Sequence, residues 1–157
     1  MKKLSSLILL FLASFSFVSC QQTTTTTSIN FDLFKQITQF QSVFTKSEGT
    51  YLVYVYSDSC GACALVKQDV YDFASTYTEK PIYFFNVTFA NDAAEYRELY
   101  LIYINQREVA TPVILVVKDG TFDSTNQAVY YHAGVVAVRN ILRDVKNGAF
   151  DLFKPIS

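Results

Sequence analysis

The chain has no Trp, one Met, one His, three Cys, three Pro and five Gly among 157 residues. The single histidine is the most restrictive of these shortages. A structural zinc site takes four ligands, usually from two cysteine pairs or from one pair with two histidines. Only one close pair is present, Cys60 and Cys63, and His132 lies about seventy residues away, so no metal site is expected. His132 sits in the apolar stretch "VYYHAG" and reads as a sheet residue. An excess of positive charge is also lacking, with 13 Lys and Arg against 14 Asp and Glu. That balance offers no basic patch on which nucleic acid could dock. Internal repeats are absent, and the lack of Trp excludes no activity. What remains is a chain that is 50% hydrophobic and 16% aromatic, ample for one packed core in one domain of ordinary size.

The N-terminus reads "MKKLSSLILLFLASFSFVSC". Two lysines precede a mostly apolar run from Leu4 to Val18, too short for a transmembrane helix but suited to a secretory signal. Small Ser19 followed by Cys20 resembles the lipobox of bacterial lipoproteins, in which the cysteine is acylated and becomes the mature N-terminus. Phe17 stands where that pattern usually has Leu. The resemblance implies a signal peptide over 1–19, a lipid on Cys20, and membrane anchoring on the extracytoplasmic side. Ordinary cleavage nearby would instead leave a secreted protein. The polar "QQTTTTTS" that follows reads as a flexible tether over 20–28, with the domain occupying 29–157. Three thiols in an exported protein leave one unpaired. With Cys20 lipidated, the count closes on Cys60 and Cys63.

Within the domain, Leu33, Ile37, Phe40 and Phe44 recur at helical spacing. "TYLVYVYS" reads as a buried strand, and Val66, Val70, Phe73 and Tyr77 mark one face of a long helix. "PIYFFNVTF" is a second strand. Ala93, Tyr96, Tyr100 and Tyr103 mark another helix, with Asn91 or Asp92 as its N-cap. "TPVILVV", the turn "KDG" and "AVYYHAG" predict two antiparallel strands. A last helix ends at Asn147–Gly148, and the tail "AFDLFKPIS" is expected to pack back onto the body. The predicted order is α-β-α-β-α-β-β-α, an α/β domain with a mixed four-stranded sheet.

Cys60 and Cys63 lie in "YSDSCGACALVK", where a strand hands over to a helix. A disulfide across so short a loop removes little entropy from the unfolded chain, so a stabilising role alone explains the placement poorly. A redox role explains it better. Unpaired N–H groups and the dipole at a helix start stabilise a thiolate on Cys60. Gly61 and Ala62 are small enough to let an incoming disulfide approach, and Cys63, one turn further on, is expected to be more buried and to resolve the mixed disulfide.

The order of elements, "SCGAC" between strand and helix, "TPVILVVKDGT" downstream and "HAGVVAVRNIL" near the end together resemble the thioredoxin family over roughly Ile29 to Gly148. The resemblance implies a thioredoxin-like fold and a thiol–disulfide oxidoreductase with Cys60 and Cys63 catalytic. It implies that Pro112 is cis and faces the pair, leaving the Thr111 backbone free to hold an extended substrate strand beside Gly61 and Ala62. No dissociable cofactor is needed, because the dithiol carries the two electrons. The expected partners are protein thiols and disulfides, a further protein that restores the redox state, and the membrane through the lipid; the domain is expected to be monomeric.

Three positions depart from the family pattern. Ser59 replaces its usual Trp, Ala62 its usual Pro, and Tyr54 the buried acid that many members carry six residues before the first cysteine. Asp58 either raises the Cys60 pKa by charge repulsion or is a solvated loop residue. These departures keep a second expectation open, a non-catalytic peptide-binding or transport-accessory module on the same fold.

Overall fold

Six consecutive residues, Tyr51–Tyr56, are all buried, as expected of a central strand covered on both faces. The computed structural model describes residues 29–88, 94, 97, 110–122 and 130–149. Among them are five strands: β1 (Lys35–Ile37), β2 (Tyr51–Tyr56), β3 (Ile82–Asn86), β4 (Val113–Val117) and β5 (Tyr131–Ala133). They form one sheet in the order β1-β3-β2-β4-β5. β3 is parallel to both β1 and β2, whereas β4 is antiparallel to β2 and β5. Two helices, α1 (Gly61–Thr76) and α2 (Val135–Lys146), contribute Val66, Val70, Phe73, Val138, Ile141, Leu142 and Val145 to a core on one face of the sheet. Arg139 of α2 ties them together, donating to Asp69 at 2.7 Å and to the Leu65 carbonyl at 2.6 Å.

The N-terminal segment corrects the expected first helix and the expected four-stranded sheet. A 3-10 turn over Phe31–Leu33 is capped by Asn30, strand β1 follows, and a second 3-10 turn spans Phe40–Val43. The helical periodicity misleads because Leu33 is 80% exposed while Phe31 is buried. Phe31 packs on the α1 side of the sheet, and Ile37, Phe40 and Val43 pack on the opposite side. One amphipathic helix has a single apolar face and cannot serve two cores. An extended stretch can cross between them while β1 satisfies the hydrogen-bonding edge of β3.

Other expectations hold. Val66, Val70 and Phe73 face the core, and Tyr77 is the C-cap of α1. His132 lies in β5 opposite Ile114. The "KDG" turn has Asp119 at φ 51° and Gly120 at φ 73°, the left-handed pair that a tight two-residue hairpin turn needs. Gly148 (φ 65°) closes α2. Ala94 and Arg97 are helical and exposed; the rest of the helix expected near them, the signal peptide, Cys20, the tether and the C-terminal tail after Ala149 lie outside the described residues. Among those residues no helix is long and apolar enough to cross a membrane.

An acid-sensitive contact links β1, β3 and the turn before β2. The Tyr83 hydroxyl donates to the Glu48 carboxylate, and Lys35 Nζ lies 3.0 Å from Glu48 Oε1. The Tyr83 hydrogen bond, followed by Lys35, lowers the Glu48 pKa from the ordinary 4.5 to about 2. The charged form is therefore favoured in the folded chain, and its stabilisation is complete above 4.5 and lost as pH falls towards 2. Glu48→Gln is expected to flatten the dependence of the urea midpoint on pH in that window and to leave the pH 6–8 region flat.

Candidate active site

The register of β2 with β4 assembles the site. Val55 pairs with Val113, so the end of β2 that leads to Cys60 meets the start of β4 that follows Pro112. Between β2 and α1 the chain makes a short polar loop. Ser57 Oγ is within 3.0 Å of Ser59 Oγ and 2.7 Å of Thr88 Oγ1, and the Asp58 amide donates to Thr88 Oγ1 at 3.0 Å. Asn86 donates to Asp58 Oδ2 at 2.8 Å. Asp58 is exposed, in keeping with its reading as a solvated loop residue.

Cys60 is the N-cap of α1. Its backbone is extended, its carbonyl accepts from Ala64 N–H at 3.2 Å, and its sulfur accepts from Cys63 N–H at 3.0 Å. An N-cap side chain satisfies an otherwise unpaired helix donor. When that side chain is a sulfur, the same donor and the helix dipole favour its thiolate. Cys60 and Cys63 are joined as a disulfide with Cα atoms 5.2 Å apart. Cys63 is only 5% exposed, whereas Cys60 is half-buried, so an approaching sulfur meets Cys60. A Cβ on exposed Gly61 would meet no described residue within 4 Å, so the described residues leave the space above the first turn open.

The Thr111–Pro112 peptide bond is cis, and Thr111 O lies 3.3 Å from Cys60 Sγ. The Pro112 carbonyl is occupied by Gly134 N–H at 2.8 Å, which ties the loop to the start of α2. Thus Cys60, Gly61, Ala62, Cys63, Thr111 and Pro112 are brought together at one end of the sheet. Cys20 lies outside the described residues. Among those residues there is no group of three or more His, Cys, Asp or Glu placed to hold a metal ion.

The chain superposes on thioredoxins. That of Fasciola hepatica matches with a TM-score of 0.52 at 18% identity, over 73% of this chain and 98% of that one. Oxidised thioredoxin O2 from Arabidopsis thaliana gives 0.52 at 18% identity, over 75% and 95%. The oxidised mitochondrial thioredoxin 3 of Saccharomyces cerevisiae gives 0.50 at 17%, over 71% and 95%. The fold is thioredoxin-like. No protein-family model matches the sequence, and no curated protein matches it significantly.

The thioredoxin-like domain also places at the site Tyr54, which stands where the family carries its buried acid, and three residues that no motif marks. Phe31, Tyr54, Tyr56 and Lys67 join Cys60 and Cys63 around a cavity of about 90 Å³. The signal for two of them was present in β2, where alternation puts Tyr54 and Tyr56 on the face that α1 covers. Burial raises the Tyr54 pKa, and burial with the nearby Asp58 and Asp32 pushes that of Tyr56 up to about 12. Both phenols therefore keep their protons at neutral pH and can act as hydrogen-bond donors there, not as bases.

Proposed function

We propose that this protein is a membrane-anchored, extracytoplasmic thiol–disulfide oxidoreductase that exchanges disulfides with other proteins through Cys60 and Cys63. The observation that carries the reading is the asymmetry of the pair. One sulfur is accessible and caps a helix N-terminus, while the other is buried one turn behind it. The thioredoxins that share the fold support it.

In the reducing direction, Cys60 thiolate attacks a substrate disulfide, and one substrate sulfur leaves with a proton. Cys63 then attacks the Cys60 sulfur of the mixed disulfide, the second substrate sulfur leaves, and the Cys60–Cys63 bond forms. Two electrons have passed to the substrate, and a second protein must return them. The oxidising direction is the same sequence reversed. Thr111 and Pro112 hold the substrate backbone beside Cys60, with Gly61 and Ala62 leaving the approach clear.

The test is reduction of insulin by dithiothreitol with catalytic amounts of the protein. Turbidity is expected to rise faster with the wild type than with Cys60→Ser. Equal rates would favour a peptide-binding module on the same fold. The anchor is tested separately: wild-type protein is expected to partition into detergent, and Cys20→Ala to remain aqueous.

A further inference from the structure

Tyr54 lies in the middle of β2, is fully buried, and its hydroxyl has no hydrogen-bond partner among the described residues. Its ring is well accounted for, lying edge-on to Phe31 and Phe84 and stacked on Tyr56 at 5.3 Å. A phenylalanine would make those ring contacts without burying an unpaired hydroxyl. Such hydroxyls are uncommon in folded proteins and call for a reason, of which a redox or catalytic role is one. The same side chain lines the cavity shared with Cys60 and Cys63, and Cys63 belongs to the same buried cluster.

In the disulfide each sulfur is a weak acceptor. When the bond opens, Cys63 becomes a buried thiol that must ionise to attack. A buried thiolate without a donor is costly. The Cys63 N–H is directed at Cys60 Sγ, not at its own sulfur. The other titratable groups lining the cavity are Tyr56, Asp58 and Lys67; Asp58 is exposed and already accepts from Asn86. A neutral donor that keeps its proton suits this place.

We propose that Tyr54 is the hydrogen-bond donor that the Cys63 sulfur acquires when the disulfide opens, lowering the cost of the Cys63 thiolate and so speeding resolution. This rests on the exchange reaction proposed above. In the step it serves, Cys63 thiolate bonds to Cys60 Sγ, the bond from Cys60 to the substrate sulfur breaks, and that sulfur leaves as a thiolate. The leaving thiolate takes up one proton from water, matching the one Cys63 released. No other oxidant or reductant is needed.

The experiment compares full-length Tyr54→Phe with wild type. In a Cys60→Ser background, the pH dependence of Cys63 alkylation by iodoacetamide gives its pKa. Tyr54→Phe is expected to raise it by about 1–2 units, the equivalent of one charge-assisted hydrogen bond. With both cysteines present, Cys60 is loaded with 2-nitro-5-thiobenzoate, and release of that thiol reports attack by Cys63. Release is expected to slow about tenfold at neutral pH in Tyr54→Phe and to converge with wild type at high pH, where Cys63 ionises in both. In wild-type protein, a reduced-minus-oxidised infrared spectrum is expected to show a tyrosine C–O band shift that Tyr54→Phe lacks. If Tyr54→Phe does not fold, a wild-type spectrum without any tyrosine band shift still overturns the proposal. An unchanged Cys63 pKa with an unchanged release rate overturns the proposal, as does a wild-type spectrum without the band shift. None of these measurements uses a protein substrate. Failure of insulin turnover alone therefore refutes the oxidoreductase reading, while a Cys63 pKa and a release rate that both stay unchanged refute the role of Tyr54.

Discussion

Cys63→Ser protein is expected to lose turnover to background while accumulating substrate proteins bound covalently to Cys60. Cys60 keeps what it needs in this variant: partial exposure, the helix N-terminus, and the residue 63 amide that donates to its sulfur at 3.0 Å. It can still attack a substrate disulfide. The serine hydroxyl cannot complete the second exchange, since it forms no disulfide and is a far weaker nucleophile than a thiolate. Incubation with an extracytoplasmic extract, followed by non-reducing electrophoresis, should show high-mass adducts that disappear on reduction. Cys60→Ser should show none, because Cys63 is only 5% exposed. Adducts formed equally well through Cys63 would refute the assignment of roles, and no adducts from either variant would refute the exchange reaction.

The second large effect is on stability. Phe84→Ala is expected to cost about 3–5 kcal/mol, the usual result of truncating a fully buried phenylalanine. Phe84 sits in β3 between β1 and β2 with no exposed surface. Its ring stacks on Phe34 at 5.0 Å, lies 4.8 Å from Phe31 and meets Tyr54 edge-on. Truncation removes those contacts and leaves a void against Phe31 and Tyr54, two of the residues around the cavity beside the disulfide. Urea unfolding of the oxidised protein measures the loss. Leu33→Ala, in the segment whose periodicity suggests a helix, is the control. Leu33 is 80% exposed, so its truncation is expected to change stability by no more than about 0.5 kcal/mol. A large loss at Leu33 and a small one at Phe84 would contradict the placement of the N-terminal segment.

The comparison of these two residues shows where sequence pattern misleads. Leu33, Ile37, Phe40 and Phe44 satisfy the helical template, and nothing local contradicts it. The segment is extended and turned because its apolar residues serve opposite faces of the sheet and because β3 has an edge to be paired. Neither requirement exists before the sheet does. Strand β1, the one beyond the four expected, carries a second obstacle: it is three residues long, too short for alternation to register.

The amino-acid sequence by itself determined the local features. A six-residue buried strand, a cysteine at a helix start with its partner one turn on, a Lys-Asp-Gly turn, and a helix ending at Asn147–Gly148 each follow from propensity, capping or glycine's freedom at positive φ. These are short-range effects, settled within a few residues of chain. Tertiary structure alone decided what lies across the site. Thr111 O is 3.3 Å from Cys60 Sγ because β2 and β4 pair antiparallel in one register, and a slip of one residue would turn every β4 side chain to the other face. It also decided that the Tyr54 hydroxyl is buried beside the cysteine pair without a hydrogen-bond partner among the described residues. Burial and hydrogen-bond satisfaction depend on the packing of α1 and β3 against β2, segments that meet only when the whole domain closes.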